Sequence, residues 1–313
     1  MSVLKNLIGR LCYSFIVLMG ITLGTFALFE LAPGDQAEVI LLERYEAPGK
    51  EQIEALRNQL DLHSPWLSRY FSWLFQVSRG NWGKSRQSGK PVWEEIFTRL
   101  PSTLRLAVSS FILVVFLSLV SGGIAAFGHN GLPDKVSGVL TIIATAIPAY
   151  WLGLLLIYFF SVKIKLFPPC GYGEGKHLVL PSITLAFAVS MLHGRVLRAT
   201  LIKIRAMNYI RFAVSKGLSP FQIFFTHMLR NALPPMLTIW GMALGQLLGG
   251  AVIVESVFAW PGIGKLTVEA VMTRDIPLVQ AIVFGLAGVF VVINQLTEIL
   301  HHRLNPSAGA NLL

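Results

Sequence analysis

Five lysines in this chain directly follow a glycine: Gly49-Lys50, Gly83-Lys84, Gly89-Lys90, Gly175-Lys176 and Gly264-Lys265. A phosphate-cradling loop, Gly-x-x-x-x-Gly-Lys-Ser/Thr, needs another glycine five positions earlier, so that successive backbone N–H groups can wrap the phosphates. None of the five pairs has it. Any ATP chemistry must therefore belong to another chain. Gly-x-Ser-x-Gly, His-Glu-x-x-His and Cys-x-x-Cys are also absent, so no catalytic residue is expected. Cys12 and Cys170 give neither a disulfide framework nor metal-ligand spacing. His301 and His302 are adjacent, and on a helix they would point about 100° apart, a poor chelate. No metal site and no cofactor are expected. His193 is different, because it lies well inside an apolar stretch. A polar group there is costly in lipid and is a functional candidate, the alternative being a histidine hydrogen-bonded between helices. Asn294, Gln295 and Glu298 carry the same ambiguity.

Six apolar stretches must position these residues: Leu11–Leu31, Leu104–Phe127, Val136–Val162, Leu178 to about Thr200, Ala232–Phe258 and Ile276–Leu300. Each approaches or exceeds the roughly 20 residues that cross a bilayer core. The first is longer than the apolar core of a signal peptide and no Ala-x-Ala-like site follows it, so a retained span is expected. Hydrophobic residues make up 54% of the 313-residue chain and charged residues 13%, too few charges to cover a soluble domain of this size. The expected fold class is all-α, a polytopic membrane protein of six transmembrane helices.

The net charge of +10 has a membrane explanation. With the N-terminus inside, the inner segments hold eleven bases against the single acid Asp134. The outer loops are nearly balanced, with nine bases and nine acids in residues 32–99. That is the positive-inside pattern, with both termini and residues 201–231 cytoplasmic. A lipid bilayer, and no nucleic acid, is the expected partner of this charge. The chain divides into 1–31, an N-terminal segment and first span; 32–99, an external loop; and 100–313, a five-span core. The external loop reads as helical. Ile53, Leu56 and Leu60 share one face, and Trp66–Phe75 is aromatic-rich, suited to an interface layer or to an external partner.

Residues 201–231 read as two helices broken at Gly217-Leu218-Ser219-Pro220. Gly217 suits a left-handed C′ position. Ser219 suits an N-cap with Pro220 at N1, and Gln222 completes a capping box. Phe221, Phe224, Phe225 and Met228 then share an apolar face on the second helix. Such a face in water implies a groove on a partner protein, the alternative being a helix lying on the lipid surface.

The spacing Tyr209-x-x-x-Ala213-x-x-x-Gly217-Leu218-Ser219, then His227-x-Leu229-Arg230-Asn231-Ala232-x-x-Pro235, resembles the permease signature of ABC importers, in its peptide/nickel-type branch. The broader signature begins Glu-Ala-Ala, where this chain has Arg211-Phe212-Ala213. Leu31-Ala32-Pro33-Gly34-Asp35, Gly80-Asn81-Trp82-Gly83, Arg99-Leu100-Pro101-Ser102-Thr103, the Glu255–Gly264 element and Arg274-Asp275-x-Pro277 extend the resemblance over nearly the whole chain. They point to the first permease of a pair. The terminal Asn305-Pro306 is followed by Ser307, where the family has arginines. The resemblance implies a cytoplasmic coupling helix that docks on an ATPase subunit, with Ala213, Gly217, Ser219, Pro220, Phe221, Phe224, Phe225 and His227 as coupling residues. It also implies a second permease, two ATPase subunits, an external binding protein and a bacterial inner-membrane location. His193 and Glu255 are the candidates for the translocation path. Phe167-Pro168-Pro169-Cys170-Gly171-Tyr172-Gly173 resembles nickel and metallophore members, which tilts the expected solute that way, with di- or oligopeptides the alternative. A self-sufficient secondary transporter would need inverted repeats and paired midplane charges, and the spans show neither clearly. A membrane scaffold would need a larger soluble domain than residues 32–99.

Overall fold

A computed structural model describes residues 2–31, 35–42 and 48–304. Among the described residues there is no strand, only an isolated bridge between Lys84 and Pro91. Residues 32–34 and 305–306, and the side chains of Cys12, Glu298, His301 and His302, lie outside what is described. The helices are α1 (Ser2–Leu31), α2 (Gln36–Leu42), α3 (Lys50–Gln59), α4 (Trp66–Ser78), α5 (Val92–Phe127), α6 (Leu132–Ala146) and α7 (Ala149–Leu156). They continue as α8 (Gly175–Arg205), α9 (Asn208–Ser215), α10 (Pro220–Gln222), α11 (Arg230–Val257), α12 (Ile263–Met272) and α13 (Ile276–Leu304). π-helical turns follow α7 at Ile157–Lys163 and α10 at Ile223–Leu229.

Among the described residues, five helices are long and apolar enough to cross a membrane, or six where a bent pair is counted as one span. The bent pair is the third expected span. It is not a continuous helix over 136–162: α6 and α7 meet at 104°. Pro148 is the cause. Its ring pushes the preceding Ile147 out of the helical region, to φ −84° and ψ 122°, so α6 must end there.

Contacts divide the chain into two compact units that do not follow chain order. Unit 1 is Met1–Pro101 with Leu266–Val291, and unit 2 is Ser102–Lys265 with Val292–Leu313. In unit 1 the external loop folds onto its own membrane helices. Tyr70 of α4 is buried, with its hydroxyl 2.9 Å from Thr22 Oγ1 of α1 and its ring edge-on to Phe26. Trp73 and Trp82 stand edge-on to Phe284 of α13. Much of the aromatic content of this loop is thus internal packing, while Phe71 and Phe75 stay exposed. Ser85 donates to Asp275 at 2.5 Å, and Asp275 also accepts the Leu278 N–H in the first turn of α13.

Unit 2 holds an apolar core running through Leu106, Val114, Leu197, Leu201, Met236, Trp240 and Leu247. Small residues let its helices approach. A β-carbon at Gly122 of α5 would fall 2.5 Å from the Gly194 carbonyl of α8, so only glycine fits that crossing. Trp240 is buried, and its indole N–H donates to Ser118 Oγ at 3.0 Å, which removes the cost of enclosing it.

Candidate coupling loop and buried carboxylate

Helix α9 and the turn after it are held by local chemistry. Gly217 has φ +79°, a conformation open to glycine at little cost. Its N–H reaches the Val214 carbonyl at 2.9 Å, and Leu218 N–H reaches Ala213 at 3.3 Å. That pair of bonds is a Schellman motif. Ser219 then caps the next helix: Gln222 N–H donates to Ser219 Oγ at 3.3 Å, and Ser219 N–H donates to Gln222 Oε1 at 3.0 Å. The expected capping box is present, with Pro220 at N1.

The second helix is not a separate piece. From Pro220 the chain is helical without a break to Val257, through the π turn and into α11. Asn231 Nδ2 donates both to the His227 carbonyl, at 2.7 Å, and to Tyr209 Oη, at 3.2 Å, which ties α9 to the base of α11. The bond to Tyr209 links α9 directly to a membrane-length helix.

The apolar face expected on this helix is divided. Met228 and Ile223 are buried in the unit 2 core, as are Ile210 and Ala213 of α9. Phe224 is half-buried, packed 3.3 Å from the β-carbon position of Gly123 and edge-on to Phe127. Phe221 and Phe225 are exposed, with ring centroids 4.5 Å apart. They line a nearly wholly apolar groove of about 660 Å³, whose opposite wall is Phe116, Val120, Ile124 and Phe127 of α5. The groove thus borders a membrane-crossing helix, which suits the lipid-facing alternative for these two rings. A second set of apolar side chains points outward from α9: Phe212 at 60% exposure and Val214 at 59%, with Tyr209 beside them. Their signal in the sequence was alternation with the buried Ile210 and Ala213, which a helix of only eight residues makes faint.

Glu255 and His193, both expected on a translocation path, are enclosed. Glu255 has no exposed surface. It accepts from Thr103 Oγ1 at 2.7 Å and from Lys265 N–H at 3.0 Å, inside the first turn of α12. Thr103 Oγ1 in turn accepts the Ile263 N–H at 2.7 Å. A carboxylate at a helix N-terminus satisfies donors that have no intrahelical partner and meets the positive end of the helix dipole. Gly262 abuts this carboxylate so closely that a β-carbon there would collide with it. Trp260 adds its indole N–H to the Ser102 carbonyl at 2.9 Å. The carboxylate thus fastens residues 258–265 to the start of the α5 membrane segment. His193 is 4% exposed, within α8, and its Nδ1 has no hydrogen-bond partner among the described residues.

Among the described residues the chain is all-α and polytopic, and the helix from Pro220 runs unbroken into a membrane-length helix. The family described as binding-protein-dependent transport system inner membrane component matches residues 118–309, and its N-terminal counterpart matches residues 3–107. The chain belongs to this family, the permease subunits of ABC importers. It is 35% identical over 305 residues to the glutathione transport system permease protein GsiC of Escherichia coli (strain K12), covering 97% of both chains. The GsiC of Shigella dysenteriae serotype 1 (strain Sd197) matches equally. In fold it is similar to an inward-facing structure of the MetNI methionine ABC transporter, with a TM-score of 0.59 and 17% identity, over 68% of this chain and 98% of that one. The protein is accordingly a multi-pass inner-membrane permease, of a family whose ATPase activity lies in partner subunits.

Proposed function

We propose that this chain supplies half of the translocation path of an ABC importer. It would pair with a second homologous permease, two ATPase subunits and an external binding protein. Residues 201–231 and both termini would be cytoplasmic, where the bases concentrate. The observation that carries the coupling role is the build of α9: Ile210 and Ala213 anchor it from within, Phe212 and Val214 face outward, and the helix from Pro220 runs unbroken into α11. ATP-driven closure of the ATPases would move the two coupling loops together and switch access of the path. Reconstitution of the chain with its neighbouring permease and ATPases tests this. ATP-dependent uptake that is lost when this chain is omitted supports the reading, and undiminished uptake without it refutes it.

For the solute, we infer a small peptide. The supporting observation is 35% identity, over almost the full length, to permeases of glutathione transport. A nickel or metallophore complex is the second reading, favoured by the Phe167–Gly173 loop. Competition for binding-protein-dependent uptake separates them: small peptides should compete and nickel chelates should not. The reverse result would transfer the assignment to the second reading.

A further inference from the structure

A pocket of about 260 Å³ opens between the first half of α6 and the last third of α8. Its lining includes Asp134, Ser137, Gly138 and Thr141 of α6 and Arg195 and Arg198 of α8. The two arginines are used differently. Arg198 is spent inside the protein: its Nη2 donates to Asp134 Oδ2 at 2.6 Å, and its Nε donates to Asp134 Oδ1. Asp134 is engaged further by the Asn130 N–H, at 3.0 Å. Arg195 is exposed and makes no hydrogen bond or ion pair among the described residues. The pocket thus has one acid, already neutralised, and one uncommitted guanidinium. The Thr141 hydroxyl donates to the Ser137 carbonyl, so the remaining donors at the rim are Arg195 and the Ser137 hydroxyl. The space beside Gly138 is open: a β-carbon there would meet nothing within 4 Å. Along the same helix, Val139, Ile142 and Ile143 are exposed.

We propose that this pocket binds the phosphate of an anionic phospholipid, with Arg195 as its cation. A guanidinium holds a phosphate through paired, charge-assisted hydrogen bonds. The pocket lies at the end of α8 that leads into the base-rich 201–231 segment, where a membrane protein meets headgroups. The exposed Val139, Ile142 and Ile143 supply apolar surface for acyl chains, which a free phosphate would leave uncovered. That is why a lipid, and not a soluble anion, is the proposed occupant. Because α8 leads within three residues into α9, the bound lipid would brace the helix that carries the coupling loop.

The test uses the full chain, purified in its transporter, delipidated and returned to nanodiscs of phosphatidylcholine with or without phosphatidylglycerol. Native mass spectrometry reads the bound lipid. Phosphatidylglycerol should be retained over phosphatidylcholine, and Arg195→Gln should weaken that preference about fivefold, the size of one surface cation near anionic lipid. Gly138→Leu, which fills the pocket without changing charge, should weaken it also. Lys135→Gln removes an exposed base of α6 that does not line the pocket, and should leave it unchanged. Equal retention of both lipids would overturn the proposal, as would an unchanged preference in both pocket variants. An equal loss in Lys135→Gln would replace the site by general surface charge. Protection of the delipidated protein by inorganic phosphate to the same degree as by phosphatidylglycerol would assign the pocket to a soluble anion and overturn the lipid.

Discussion

Residues 213–222 and residues 255–265 are both turns at the ends of α11-containing helix runs, and both depend on glycines and capping side chains. They spend their polar groups in opposite settings. At 255–265 the cap is a carboxylate from the preceding helix, fully enclosed, and its partner Thr103 lies 152 residues away in sequence. At 213–222 the cap is the hydroxyl of Ser219, exposed, with its partner three residues on. The first turn couples distant parts of unit 2 and tolerates no added volume. The second is self-contained, its cap closed by residues three positions apart. One ties distant parts of the chain together and the other holds only its own turn.

The largest effect should come from crowding the enclosed turn. A β-carbon at Gly264 would sit 2.5 Å from Val252 Cα, a backbone atom that cannot rotate away. Gly264→Val should cost at least about 3 kcal/mol, at the upper end for overpacking, and lower the amount of folded protein in the membrane severalfold. Gly249→Ala, with nothing within 4 Å of its β-carbon position, should not lower it. Fluorescence size-exclusion of tagged variants reads both. Equal amounts of Gly264→Val and wild type would remove the contrast between the two turns.

The next effect concerns which apolar face would meet the ATPase in the proposed assembly. Burying one aromatic side chain is worth about 2–3 kcal/mol, so losing it weakens docking by roughly 30-fold to 140-fold. Phe212→Ser on α9 should therefore strip the ATPase from the purified complex at matched expression. Phe221→Ser with Phe225→Ser should leave most ATPase bound, because those rings line the groove beside α5. The opposite pattern would return the docking face to residues 221–225.

The same residues show how much could be read in advance. Gly217, Ser219, Pro220 and Gln222 were legible because every partner in a capping box or Schellman motif lies within five residues. The six apolar stretches were legible because hydropathy is summed locally. Pro148 was visible as an interruption, yet the 104° bend depends on where α7 then packs. The division of the 221–228 face could not be read, since it is set by Gly123 and Phe127, about a hundred residues earlier, and by a core that takes up Met228. Glu255 is a path candidate in the sequence, and its enclosure at the start of α12 could not be read there. Its surroundings, the Lys265 N–H near the start of α12 and a threonine on α5 that itself accepts the Ile263 N–H, are non-local and leave no mark in the chain.

A smaller effect is expected at Gly217. Its φ of +79° puts a β-branched residue under strain of about 1–3 kcal/mol. Nothing lies within 4 Å of its β-carbon position, so the cost is conformational and not steric. Gly217→Val should shift the turn, reduce uptake and leave the folded amount nearly unchanged. Gly217→Asn, which tolerates the left-handed region better, should retain more uptake than valine. Equal uptake for valine, asparagine and glycine would show that the turn's backbone does not transmit force.

The smallest effect should be at the exposed cap itself. Ser219→Ala removes the acceptor of the Gln222 N–H and should cost about 1 kcal/mol, the usual value of an N-cap. Because the turn is exposed, water can take over part of that bond, which keeps the cost well below that of the enclosed Glu255 anchor. Gln222→Ala removes the reciprocal bond to the Ser219 N–H and should cost less. If the two bonds act as one box, the double variant should lose less than the two single losses added together. Thermal unfolding of the purified complex, read by tryptophan fluorescence, measures all three. A loss at Ser219→Ala as large as at Gly264→Val would mean that the 213–222 turn is enclosed by other subunits in the assembled transporter. The difference between the two turns would then be a property of the isolated chain alone.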